Sequence, residues 1–224
     1  MFKSQTPPIW TPMGLTGLAV LLSAWFAGAY VLGVERILEN HGQSFFAPVA
    51  LSAVVPVVTF LALYRFWPAF KNFVLSQDII TLSLLQLWRV MGFGFLTLYY
   101  YDVLPGLFAW PAGLGDVAVG MMAAVIFYRL ARNPEMVTST QLVRFHLLGL
   151  FDFVVAVVTA GLASGVFPGL IPLGITSAPM DVWPFNLFPS FFVPVFIILH
   201  LTVLLKIRHL RASQPQAQTQ PVAA

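Results

Sequence analysis

The chain has 224 residues, 59% of them hydrophobic and 8% charged, with a mean hydropathy of +0.87 and a formal net charge of +3. A soluble domain carries roughly 25% charged residues, so this sequence cannot build a water-exposed surface and lipid must cover most of it. It contains no cysteine, which excludes disulfides, thiolate metal sites, iron–sulfur clusters and thiol catalysis.

Six apolar runs are long enough to cross a hydrocarbon core of about 30 Å. They cover residues 14–34, 47–67, 79–101, 107–130, 141–163 and 186–208, and each ends near charge, Pro or Gly. The sequence therefore predicts an all-α polytopic bundle. It is one transmembrane domain over residues 1–211, followed by a polar, Pro/Gln-rich and disordered tail, 212–224. Enough chain is left for short loops but not for a separate soluble domain.

The first run follows a lone Lys3 and contains Ala27-Gly28-Ala29, a pattern that also fits signal-peptide cleavage. Its apolar stretch continues through Tyr30, Val31 and Leu32, which favours a retained span. The second run contains Pro56. The third carries Gln86, Arg89 and Gly92 on one ridge, with Arg89 near its midpoint. The fourth contains Pro111 and, near its midpoint, Asp116, flanked on one ridge by Gly113, Gly120 and Ala124. The fifth carries His146 and then Asp152, with Gly149, Ala156 and Ala160 or Ala163 alongside. Small residues mark close helix contact in membranes, so both carboxylates are expected to face protein. The connection 164–185 holds four prolines yet is mostly apolar, as expected of a segment lying in the interface or folded over the bundle mouth. The sixth run contains Pro189, Pro194 and His200. A proline there frees the carbonyl four residues earlier, which for Pro194 is Ser190.

Nine of the Lys and Arg residues fall on one side: Lys3, Arg65, Lys71, Arg129, Arg132, Arg144, Lys206, Arg208 and Arg211. Arg36 alone falls on the other, with Glu35, Glu39, Asp102 and Asp181. This imbalance predicts six spans with both termini cytoplasmic. The basic residues flank hydrophobic segments and so read as topology signals, not as a nucleic-acid surface. Tyr99, Tyr100, Tyr101, Trp110 and Trp183 are expected at the outer interface and Trp67 at the inner one. The pentapeptides beginning at Val103 and Val166 share a Pro-Gly-Leu ending 63 residues apart, an offset that carries Arg89 onto Asp152.

At 1.5 Å rise per residue, Arg89, Asp116 and Asp152 lie about 14–16 Å from a span end, near the bilayer midplane. Ionised groups persist in hydrocarbon only when paired, hydrated or in use. An Arg between two Asp is the expected arrangement, with Gln86 one turn away. One guanidinium satisfies one carboxylate, and the second leaves net charge −1, which a proton or cation would relieve. The reading favoured is a small transporter or permease-like protein whose Arg89, Asp116, Asp152 and Gln86 handle a proton or a small anionic solute, in a homo-oligomer or alone. His146 and His200 have similar depth on adjacent spans, so a haem b or metal ligand pair in a membrane oxidoreductase is the first alternative. A partner-binding or assembly subunit is the second. No metal motif and no hydrolase or nucleotide signature is found, so neither a cofactor nor enzymatic activity is the leading expectation.

The stretches LPGLFAWPAGLGDVAVG (104–120), FHLLGLFDFVVAV (145–157) and FPSFFVPVFIILHL (188–201) resemble those of an uncharacterised family of small bacterial polytopic inner-membrane proteins. The resemblance implies a bacterial inner-membrane location and brings no activity or cofactor with it.

Overall fold

Proline, glycine and short polar residues set the helix ends. The computed structural model describes residues 12–40, 48–167, 169–171 and 174–213. Among them the chain forms α1 (Pro12–Val34), α2 (Pro48–Phe66), α3 (Pro68–Ser76), α4 (Ile79–Leu85), a 3₁₀ segment (Gln86–Gly92) and α5 (Phe93–Tyr100). Then follow α6 (Gly106–Arg132), α7 (Thr140–Leu162), a π segment (Phe188–Phe192) and α8 (Val193–Ser213). The described residues contain no strand. Asp78 starts α4 by accepting from the Thr81 amide, and Ser139 starts α7 by accepting from the Leu142 amide.

Six stretches are long and apolar enough to cross a bilayer: Gly14–Val34, Pro48–Phe66, Ile79–Tyr100, Gly106–Arg132, Thr140–Leu162 and Phe188–Ser213. The molecule is an all-α, multi-pass membrane protein. The boundaries expected from sequence agree to within two residues except at the end, where the last helix runs on to Ser213. Residues 212 and 213, expected in the tail, are therefore helical. Lys3, His41, Pro168, Pro172 and residues 214–224 lie outside the described residues.

Three local features depart from six plain α-helices. Helix α3 occupies what reads as a connection; Pro68 sits at its first position, and Phe70 packs on Phe60 and Trp67. The third span is interrupted by the 3₁₀ segment, and the sixth opens with a π turn before Pro194. Ser190 supplies the carbonyl that Pro194 frees, and the Trp25 indole N–H donates to it at 3.0 Å. That contact helps seat α1, whose Phe26 also packs edge-on against Phe191.

The two ends differ in charge. The basic end carries Arg65, Lys71, Arg129, Arg132, Arg208 and Arg211, and the acidic end carries Glu35, Glu39, Asp102 and Asp181. An apolar cluster that includes Ile79, Leu130, Leu142, Phe145, Val203 and Ile207 packs the basic half. A second cluster, with Phe95, Leu104, Phe108, Ala163 and Met180, closes the acidic half. The connection after α7 lies across the acidic end. Ser177 returns to α7 through its amide to the Ala163 carbonyl and its hydroxyl to the Ala160 carbonyl, each at 2.8 Å.

A buried polar centre beneath an apolar cavity

The 3₁₀ segment explains how one span presents so much polarity to the bundle. With three residues per turn, side chains three apart line up in one row. Within it Gln86, Arg89 and Gly92 are spaced by three and buried, and Ser83 near the end of α4 and Phe95 near the start of α5 extend the buried row. Between them Leu87, Trp88 and Val90 are exposed to the bilayer side. The polar side chains of this row are thus turned inward, while Leu87, Trp88 and Val90 face outward.

Arg89 is fully enclosed, and every nitrogen of its guanidinium is engaged. Nε donates to Asp116 at 2.7 Å, and Nη2 pairs with Asp152. Nη1 donates to the Gly149 carbonyl at 3.1 Å and to Nε2 of His200 at 3.2 Å. The guanidinium carbon lies 4.0 Å from the centre of the Phe153 ring, within cation–π range. The three mid-span charges expected from sequence are therefore brought into one cluster with formal charge −1. Gln86 is not part of it: its amide reaches toward the Phe196 carbonyl at 3.4 Å, and its Oε1 has no donor among the described residues.

Close backbone approach makes this cluster possible. A methyl group added at Gly115 would overlap the Asp152 carboxylate. One added at Gly149 would overlap the His200 ring and stand 3.1 Å from Nη1 of Arg89. Gly149→Ala should accordingly cost about 1–3 kcal/mol through overpacking, seen as a lower midpoint of thermal unfolding in detergent; an unchanged midpoint would show that this backbone is not held so close. The ridge expected around Asp116 is only partly confirmed. Gly113 and Gly120 are buried, but Ala124 is exposed and Ala123 takes the inward place. At 100° per residue the contact stripe drifts across α6 over that length.

A cavity of about 110 Å³ lies on the acidic side of the cluster. Its walls include Phe95, Phe108, Ala112, Phe153 and Ala160, with Asp116 and Asp152 among them; Asn40, Ser164, Ser177 and Asp181 stand toward the acidic end. No Lys, Arg or His among the described residues lines it. The side chains of Asp116 and Asp152 are 16% and 10% exposed and that of Arg89 is 0% exposed. The carboxylates face the cavity and the guanidinium sits behind them.

His146 and His200 are fully buried and meet directly, with Nδ1 to Nδ1 at 2.7 Å. One metal held between two imidazoles needs each nitrogen about 2 Å from it, and two nitrogens sharing a proton at 2.7 Å leave no such gap. Nε2 of His146 contacts the Ser83 hydroxyl at 3.2 Å. Among the described residues no group of three or more His, Asp or Glu is placed to hold a metal ion.

Ser83, Phe153 and the Gly149 carbonyl were not singled out from sequence. A signal for Ser83 was present: it precedes His146 by 63 residues, the same offset that links Arg89 to Asp152. Two side-chain contacts at one offset place these residues of the third and fifth spans at matching depths.

No curated protein and no solved structure matches the chain. One family model does, across residues 46–208, which takes in the last five spans and the whole polar centre and leaves out α1. The chain belongs to the DUF8737 family, a domain of unknown function.

Proposed function

We propose that this is a permease-like protein of the bacterial inner membrane, with both termini cytoplasmic, that admits a small cation or a proton from the outer face to the Asp116–Asp152 pair. The observation that carries the reading is the order of the groups: cavity, then two carboxylates, then a sheathed guanidinium. Charge counting puts the acidic end outside, so the cavity lies on the outer side of the midplane. A cluster with one carboxylate in excess attracts a positive charge, and low polarity strengthens that attraction. An anionic solute would meet three carboxylates and no free cation, so the sheathing of Arg89 favours a cation or a proton. Of the two expectations from sequence, a proton or a small anionic solute, it speaks against the second. Arg89 then acts as the counter-charge that keeps the two acids from repelling each other when the site is empty.

The size of the solute follows from the cavity. About 110 Å³ is somewhat less than the roughly 150 Å³ that accommodates benzene in an engineered protein cavity. An ammonium with a short apolar body fits these walls. The reading is tested with three probes of one shape and different charge: butylammonium, butanol and butyrate. Saturation-transfer NMR on the protein in nanodiscs, with empty nanodiscs subtracted, should show butylammonium bound at least about tenfold more tightly than butanol, a difference of about 1.4 kcal/mol, and butyrate not bound. Equal binding of the neutral probe, or preference for butyrate, would refute the cation reading.

A further inference from the structure

The proposed site uses neither imidazole. Both rings are buried, both are hydrogen-bonded on each side, and together with Ser83 they form a chain leading from Arg89 toward the basic end. The bonds run from Nη1 of Arg89 to Nε2 of His200, from Nδ1 of His200 to Nδ1 of His146, and from Nε2 of His146 to Oγ of Ser83. Ser83 Oγ ends the chain on the Ile79 carbonyl at 2.8 Å.

Counting protons fixes every member. A guanidinium only donates, so Nε2 of His200 must carry a lone pair. A neutral ring then holds its proton on Nδ1 and donates it to Nδ1 of His146, which must be bare. His146 keeps its proton on Nε2 and donates to Ser83, and Ser83 donates to the Ile79 carbonyl, which can only accept. One assignment satisfies all these bonds. It requires both rings to be neutral and in opposite tautomers. A cationic His200 would aim an N–H at the guanidinium. A cationic His146 would leave His200 with no proton on either nitrogen.

From this polarity we infer that Ser83, His146 and His200 form a proton relay between the carboxylate pair and the basic end, and that Arg89 is its gate. The inference rests on the proton-handling part of the function proposed above. While Nη1 occupies Nε2 of His200, the ring cannot accept a proton. Protonation of Asp152 removes one of the two charges holding the guanidinium and lets Nη1 withdraw. The proton leaving the carboxyl group then bonds to Nε2 of His200. The Nδ1 proton of His200 passes to Nδ1 of His146, and the Nε2 proton of His146 passes to Oγ of Ser83. The original Ser83 proton is taken by a water reaching it from the basic end. One proton has left the carboxyl group, one has arrived on water, and each ring has exchanged tautomers without retaining charge. The neighbours suit this role. Phe145 packs edge-on against both rings and Phe153 against His200, sheathing them in apolar surface. The charged groups of the surrounding elements are Arg89, Asp116 and Asp152 on the cavity side, with Lys206 farther along on α8 bonded to the Gln77 carbonyl.

Two measurements on the full chain in bilayers test the relay. With ¹⁵N-labelled histidine and His41 and His209 replaced by Gln, solid-state NMR at pH 7 should show one Nδ1–H ring and one Nε2–H ring. Two rings of one tautomer, or an imidazolium, would overturn the assignment. In proteoliposomes under an imposed potential, a trapped pH dye should report proton entry well above that of empty vesicles. His200→Gln can still accept from Arg89 and donate to His146 but does not relay, and should slow entry at least tenfold with its unfolding midpoint retained. Ser83→Ala, which removes only the terminal hydroxyl, should slow it too and serves if the Gln variant fails to fold. Wild-type entry no faster than in empty vesicles, or variant entry equal to wild type, would overturn the relay. Loss of the butylammonium preference with the two tautomers intact would overturn the cation reading alone.

Discussion

Arg89→Met is expected to be among the most damaging single substitutions in the bundle, lowering stability by about 3–5 kcal/mol, the cost typical of removing one partner from a buried ion pair. Methionine keeps much of the apolar stem against Phe153 but removes three sets of donors at once. Asp116 and Asp152 lose their counter-charge in a largely enclosed site, and the Gly149 carbonyl and Nε2 of His200 lose their donor. An unsatisfied buried acceptor alone costs about 1–3 kcal/mol. The two carboxylates sharing a proton would recover part of the loss, so the upper end of the range is a ceiling. Reversible unfolding in mixed micelles measures the effect directly. A loss below about 1 kcal/mol is the behaviour of a solvated surface pair and would mean that water reaches the guanidinium.

The spans were legible because their signal is long and redundant: about 20 apolar residues are needed to cross the hydrocarbon core, and one or two substitutions do not hide such a run. The depths of Arg89, Asp116 and Asp152 followed from helical rise alone, and electrostatics required them to meet. Which way the cluster faces was not legible. Whether Arg89 or the carboxylates look into the cavity depends on how α6 and α7 pack, and in particular on Gly115 and Gly149 letting those backbones close in. The 3₁₀ turn left only a faint trace. Ser83, Gln86, Arg89 and Gly92 keep a spacing of three throughout, whereas an α-helical stripe alternates threes and fours. Read as an α-helix, that row gives the right ridge for Gln86, Arg89 and Gly92 and misses Ser83. The histidines show the same limit: equal depth on neighbouring spans fits shared iron and a shared hydrogen bond alike, and the sequence carries no sign of the direct Nδ1–Nδ1 contact at 2.7 Å in which the rings meet. Helix α3 was missed because nine residues between two spans read as a loop when one face carries Lys71 and Asn72.

The second large effect is a recovery. If the three charges form one centre, removing all of them together should harm the fold far less than removing one. Arg89→Met combined with Asp116→Asn and Asp152→Asn leaves no buried charge to be solvated, and neutral replacements of buried ion sets are often tolerated or stabilising. The triple variant should regain most of the stability lost in Arg89→Met, while losing the butylammonium preference altogether. The measurement that bears most directly on the shared centre is the free energy of unfolding across this cycle: wild type, Arg89→Met, the paired Asn variant and the triple variant. A favourable coupling of about 2–3 kcal/mol between arginine and the acids is the expected result, at the upper end of what contacting residues show. Losses that simply add would mean that the guanidinium and the carboxylates are satisfied independently, and the account built on their meeting would be wrong.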